Sequence, residues 1–466
     1  MRSDTVIAAN RFGLGARPGE LSAIGSDPRG WLLGQLAGPR RLPDEIRELP
    51  DTASILVEIA KLRDMRREAK RTGSDQPSPD VVKKFGAVYR QRYLQQTGAR
   101  FRNAAATDFA FHERLVHFWS NHFAVSADKR PVVALAGGFE NEAIRPNLGG
   151  RFTDLLIAVE RHPAMILYLD NQRSIGPNSR VAERARRRGK NRQLGLNENL
   201  AREILELHTL GVNGGYRQED VTGFAKVITG WSIGGRGPGG RFSEGAPGEF
   251  EFRENIHEPG GQRILDRTYE DSGVKQGEAV LRDLARHPST ANHIATKLVR
   301  HFVADDPPAA MVERIAAVFL KSGGSLPAVH ASLIEADDAW QTTFAKYKTP
   351  QDFVISTFRA FGHVPDDARF IVGTLDLMGQ PPYRPGSPAG WPDTAAHWGG
   401  ADSLYKRIEW SNIVARRAGT LVNPLQLGRA VLGSALGDHT RTAIKRAESV
   451  MQGTTLLLAS PEFQRR

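Results

Sequence analysis

Cysteine is absent from the 466 residues of the chain. Disulfides, thiolate-bound zinc or iron–sulfur centres and cysteine nucleophiles are thereby excluded. No window holds the ~18 uninterrupted apolar residues that a membrane-spanning helix needs. Phosphate-binding loops, nucleophile elbows and kinase signatures are missing as well. The glycines of RFGLGARPG (Gly13, Gly15, Gly19) have the wrong spacing for a dinucleotide fingerprint, and no strand precedes them. The opening MRSDTVIAANRFGLGARPGE has neither a continuous apolar stretch nor a small-residue cleavage site. It does not read as a signal peptide, so a cytoplasmic location is expected, with export beside a partner left open.

The composition, 40% hydrophobic and 25% charged, is that of a globular protein and rules out whole-chain disorder. The formal net charge is +11 and it is local: 180–192, RVAERARRRGKNR, carries +6, and 61–71, KLRDMRREAKR, carries +4. Arg184, Arg186, Arg187, Arg188, Lys190 and Arg192 would suit an anionic partner such as nucleic acid, a membrane surface or a polyanionic substrate. The more ordinary reading is a solvated, mobile segment. No aromatic side chain is interleaved among them, so the base-stacking platform of single-strand binders is lacking.

Apolar residues recur at three and four over 53–69, 84–96, 109–122, 152–168, 198–212, 219–230, 277–285, 290–302, 308–321 and 351–361, which predicts helices there. Strand alternation is confined to GEFEFREN (248–255). The expected fold is therefore all-α: a predominantly helical body with at most a short strand or hairpin near 248–255 and long Gly/Pro-rich loops. One large domain over 1–466 is expected, lobed as 1–125, 126–345 and 346–466. Loop composition marks 70–82, the glycine-rich 232–248 and the Pro/Gly-rich 379–399. The last carries Tyr383, Trp391 and Trp398, which argues for packing over a site, and both longer loops are expected near the pocket.

Two segments carry chemistry. In FHERLVHFWSNHF (111–123), Glu113, His117 and Asn121 share one helical face, with His122 one position further round. His112 and His117 are five apart, about 140° on a helix, so a regular helix cannot chelate one metal with both. In GLNENLAREILELHTLGVNGGY (195–216), Asn197 is a good N-cap and Gly211 a stop. Glu198, Asn199, Arg202, Glu203 and Glu206 share an arc, Leu200, Ile204 and Leu207 form the apolar stripe, and His208 lies on the opposite flank. Spacing alone favours a surface face with Glu198–Arg202–Glu206 pairs. The sharper reading is an inward polar face whose carboxylates bind metal or divide acid and base roles.

The blocks HFWSNHF (117–123), HPAMILYLDNQRSIG (162–176), NENLAREILELHTLGVNGGYRQEDV (197–221), TGW (229–231), RHPSTANHIATKLVRHFV (286–303) and GWPDTAAHW (390–398), with the N-terminal RFGLGARPGE, resemble the bacterial family called domain of unknown function 1800. The match runs in order over nearly the whole chain. The resemblance brings no reaction with it. It puts the emphasis on Asn121 and His122, on Asn197, Glu198, Asn199, Arg202, Glu203, Glu206 and His208, and on Tyr216, Asp220, His257 and His287. It also shifts the reading of the later helix toward the inward face.

The expectation that follows is an enzyme with a polar pocket between helices 112–122 and 197–211. Glu198, Glu203, Arg202, Asn197, Asn199 and Asp220 would be its catalytic residues, and His122, Glu206, His208 and His257 the ligands of a divalent metal such as zinc, manganese or non-haem iron. Hydrolysis by a metal-activated water, or by paired carboxylates without metal, is the expected chemistry. The alternatives are a non-catalytic scaffold whose helix charges form a salt-bridge network, and, more weakly, a haem peroxidase-like protein. For the last, the Arg expected just before the Glu is absent.

Overall fold

The computed structural model describes residues 3–39, 41–71, 79–189, 195–235, 245–342 and 344–466. Helices occupy the segments whose apolar periodicity predicted them. Among them are Thr52–Arg71, Pro79–Ala106, Ala110–His122, Phe152–Arg161, Gln218–Val227, Val274–Leu284, Pro288–Phe302, Ala309–Lys321 and Pro350–Phe361. The fold is predominantly helical. Their ends follow from local chemistry. Thr349 caps the Pro350–Phe361 helix by accepting from the Asp352 amide, Pro350 fills a position that needs no donor, and Gly362 ends it at φ 62. His287 caps the Pro288–Phe302 helix in the same way, accepting from the Ser289 amide at 3.1 Å.

Two antiparallel strand pairs complete the secondary structure among the described residues. Phe250–Phe252, the alternating segment, pairs with Trp231–Ile233, with Trp231 opposite Phe252. Gln262–Ile264 pairs with Arg267–Tyr269. Three-residue strands are too short for a period of two to register, which is why only one of the four was legible. One cluster of buried apolar side chains runs from Val6 to Phe463. Among the described residues no helix is long and apolar enough to cross a membrane.

The Ala110–His122 helix runs through this core. Phe111, Leu115, Val116, Phe118 and Trp119 are buried, and so are His112, Glu113, Arg114, His117 and His122. Buried polar groups need partners, and the partners they find define the regions of interest.

Candidate functional site

A cavity of about 70 Å³ opens alongside the Ala110–His122 helix. Arg114, His117, Ser120 and Asn121 line it from that helix, Gln351 and Asp352 from the first turn of Pro350–Phe361, and His301 from the last turn of Pro288–Phe302. The aromatic loop lines it through Gln380, Tyr383, Pro385, Trp391, Pro392 and Asp393, and Arg100, Ala124, Val125, Ala136 and Thr349 complete the wall. Asn121 holds that loop in place: Nδ2 donates to the Trp391 carbonyl at 2.9 Å and Oδ1 accepts from the Trp391 amide at 2.7 Å. The described ends of the glycine loop, Gly234, Gly235, Pro247 and Gly248, line a different pocket; residues 236–244 lie outside the described residues.

His301 and Asp393 form the sharpest arrangement here. Nδ1 of His301 lies 2.6 Å from Oδ2 of Asp393, and Nε2 is buried without a hydrogen-bond partner. Burial pushes the imidazole down to about 4 against the pull of Asp393, so it is neutral at pH 7. A neutral ring that donates Nδ1–H to a carboxylate keeps its lone pair on Nε2. Behind the pair sits a charged cluster. Arg114 donates to Asp352 at 3.2 Å and to the Gly13 carbonyl at 2.6 Å. Arg466 is fully buried, with Nε 3.2 Å from Asp352 and Nη2 3.7 Å from Asp393. Lys346 bonds to Asp305 and to the Asp393 carbonyl. Burial raises the Asp352 carboxyl, but Arg114 and Arg466 outweigh it and hold it at about 2. Burial and Arg466 bring Arg114 down to about 9.

Glu113, His117 and Glu140 form a second group, whose ligand atoms all lie within 4.8 Å of one another. This is close enough for one divalent ion. Both oxygens of Glu113 already accept from Arg145, at 2.5 and 2.8 Å, while Oε2 of Glu140 is 3.1 Å from Arg100. Burial would raise the Glu113 carboxyl, yet the charge and hydrogen bonds of Arg145 hold it well below the ordinary range.

The two helices singled out by sequence meet at His122 and His208. Nε2 of His122 donates to the His208 carbonyl at 3.1 Å, and the ring centres are 6.3 Å apart. Nδ1 of His208 lies 2.8 Å from Oε1 of Glu160, both side chains being fully buried. His208 is not on the flank that a 3.6-residue wheel assigns. Ile204–His208 is a π-helical turn, and its larger number of residues per revolution makes His208 lag into the buried stripe. Glu203 is half-buried and its carboxyl is raised by burial. Glu206 accepts from the Tyr216 hydroxyl at 3.1 Å. His122 lies about 140° round the helix from His117, and Phe118 stands between this contact and the cavity, with its ring centre 6.4 Å from that of His122 and 5.3 Å from that of His301.

The remaining predicted residues make local bonds. Glu198 accepts from Thr222 at 2.7 Å, from Gln218 at 2.9 Å and from Arg202 at 3.3 Å, which ties its helix to Gln218–Val227 at the surface. Asn197 lies one residue before the N-cap, Glu198, accepting from the amide of the exposed Asn199 and donating to the Leu169 carbonyl. Asp220 accepts from the Arg217 and Leu265 amides. Nδ1 of His257 bonds the Thr229 carbonyl at 2.8 Å, and its Nε2 is 3.6 Å from Asp271. Arg184, Arg186, Arg187 and Arg188 are exposed at the end of the Arg180–Arg187 helix; Lys190 and Arg192 lie outside the described residues.

Sequence reasoning missed His301, Asp393, Arg145, Glu160 and His293. A signal was present, since His293 and His301 lie in RHPSTANHIATKLVRHFV and Asp393 in GWPDTAAHW. Nothing in either block tells that residues 92 apart come into contact. Neither a curated protein nor a solved structure matches the chain. The family described as "Protein of unknown function (DUF1800)" matches residues 7–465. With that span covering nearly every residue, the chain belongs to the DUF1800 family.

Proposed function

We propose that this protein is a hydrolase whose active centre is the cavity beside the Ala110–His122 helix. The observation that carries the reading is the His301–Asp393 pair, with an unpartnered imidazole nitrogen at a small polar cavity. Asp393 fixes the ring and its tautomer, and Nε2 of His301 takes a proton from the attacking water. Arg114 opposes the negative charge that develops on the substrate. Ser120 also lines the cavity, but it is not the nucleophile. His301 packs on Phe118, with ring centres 5.3 Å apart, and Ser120 is about 160° round the helix from Phe118.

The test is a panel of chromogenic esters, phosphoesters, amides and glycosides with the wild type and His301→Gln. Turnover of at least one class, lost in a variant with an unchanged circular dichroism spectrum, is expected. No turnover of any class, or turnover that survives the substitution, overturns the reading.

A metal-assisted form of the same chemistry is favoured by one observation, the spacing of Glu113, His117 and Glu140. Two carboxylates and an imidazole suit zinc, manganese or iron(II) and would supply a Lewis acid at the wall of the cavity. The ion would have to displace Arg145 from Glu113. Metal analysis of the purified protein decides: stoichiometric metal lost in His117→Gln supports it, and activity in metal-free protein removes it.

A further inference from the structure

At the C-terminal end of the Ala110–His122 helix, three imidazoles come together: His122, His208 and His293. The ring of His122 is 6.3 Å from that of His208 and 6.0 Å from that of His293, centre to centre. Each has one nitrogen committed as a donor. Nε2 of His122 donates to the His208 carbonyl, Nε2 of His293 donates to the Leu207 carbonyl at 3.0 Å, and Nδ1 of His208 faces Glu160. A carbonyl oxygen can only accept, so His122 and His293 must carry their protons on Nε2 and their lone pairs on Nδ1. His208 likewise keeps its lone pair on Nε2. Nδ1 of His122, Nε2 of His208 and Oε2 of Glu160 are all buried without a hydrogen-bond partner. Gly211, at φ +85, stands against the third nitrogen: a Cβ there would sit 3.0 Å from Nδ1 of His293.

This is the arrangement of metal-ligating histidines, in which the second ring nitrogen is held by a carbonyl or carboxylate and the first points at the ion. We propose that His122, His208 and His293 bind a divalent transition metal of the zinc class, through Nδ1, Nε2 and Nδ1 respectively. The proposal uses none of the residues that carry the hydrolase reading. Three imidazoles suit zinc, cobalt, nickel or iron(II) better than calcium or magnesium, which take oxygen. With Zn–N bonds of about 2.0–2.1 Å, ring centres in a tetrahedral site stand roughly 5 Å apart. The free nitrogens lie farther apart than the ligand atoms of the Glu113 group, so binding requires the rings to draw together around the ion. Glu160 and the half-buried Glu203 set two carboxylates near His208, and Lys297, Arg300 and Arg202 are the cations around the group.

The experiment is titration of metal-free full-length protein with zinc by calorimetry, and with cobalt by visible absorption. The variants are His293→Ala, which changes a partly exposed side chain, His208→Ala and His117→Gln. One ion per chain with a tetrahedral cobalt spectrum, lost in His293→Ala and His208→Ala but kept in His117→Gln, is expected. Binding kept in His293→Ala and lost in His117→Gln moves the ion to the Glu113 group and overturns the proposal. Absence of stoichiometric binding in the wild type overturns it too. Retention of hydrolytic activity in His293→Ala leaves the cavity reading standing in either case.

Discussion

Nδ1 of His301 and Oδ2 of Asp393 meet at 2.6 Å although they come from a regular helix and an irregular loop 92 residues apart. Two guanidinium groups, Arg114 and Arg466, stand nearby and oppose protonation of the ring, as does burial itself. The imidazole is therefore a base that stays neutral far into acid. Hydrolysis that depends on neutral His301 should rise with pH through about 4 and be level from there to neutrality. A pH–rate profile checks this, and an inflection near the ordinary histidine value would place the base elsewhere. Removing a general base typically lowers kcat by roughly 10²- to 10⁴-fold, and His301→Gln and Asp393→Asn should fall in that range.

The Glu113–Arg145 pair makes a stability prediction. Both side chains are buried, and the guanidinium grips both carboxylate oxygens. Removing one partner of such a pair leaves an uncompensated charge and is destabilising by about 3–5 kcal/mol. Arg145→Met should show that loss in urea melts at pH 7. The folded Glu113 titrates below its unfolded counterpart. Its contribution is thus complete above the unfolded carboxylate value of about 4.3, and it is lost only as pH falls through the lower folded value. Acid unfolding of Arg145→Met should begin at higher pH than that of the wild type.

How much of this could be read in advance differs from residue to residue. The Ala110–His122 helix announced itself through its apolar period, whereas the meeting of His122 with the later helix was expected only on the family resemblance. His208 was assigned to the wrong flank because nothing in ILELH signals a π turn, which depends on tertiary packing and not on local preference. Asp393 lay in a Pro/Gly-rich loop whose aromatic content argued for packing but whose path has no period. Arg145 follows a π-helical turn, Glu140–Ile144, and its pairing with Glu113, 32 residues earlier, is a purely tertiary fact. Glu198 looked alike in both readings of its helix. A wheel can say that charges share an arc, not whether another helix covers them.

In the structure Glu198 follows the surface reading, and that can be checked. Its bonds to Thr222, Gln218 and Arg202 are partly solvated. Exposed pairs contribute about 0–1 kcal/mol. Glu198→Gln should therefore change stability by less than about 1 kcal/mol and leave turnover unaltered. Loss of turnover in a stable variant would return Glu198 to the chemistry.

Asn121 and Gly390 supply the prediction that links loop to catalysis. The Asn121 amide makes two bonds to the backbone of Trp391, two residues before Asp393. Gly390 has φ +80, and a Cβ there would sit 2.2 Å from the Asn121 carbonyl oxygen. The clash is with helix backbone, so no rotamer relieves it, and the positive φ adds strain for any L side chain. Gly390→Ala should push the loop off the helix and carry Asp393 away from His301. Asn121→Ala should have the same effect by a different route, at about 1–3 kcal/mol for two net hydrogen bonds. If the loop's role is to present Asp393, both variants lose kcat by more than their loss of stability explains, and the Trp391 amide exchanges faster with deuterium. If the loop merely covers the core, stability falls while kcat of the folded fraction stays at the wild-type value.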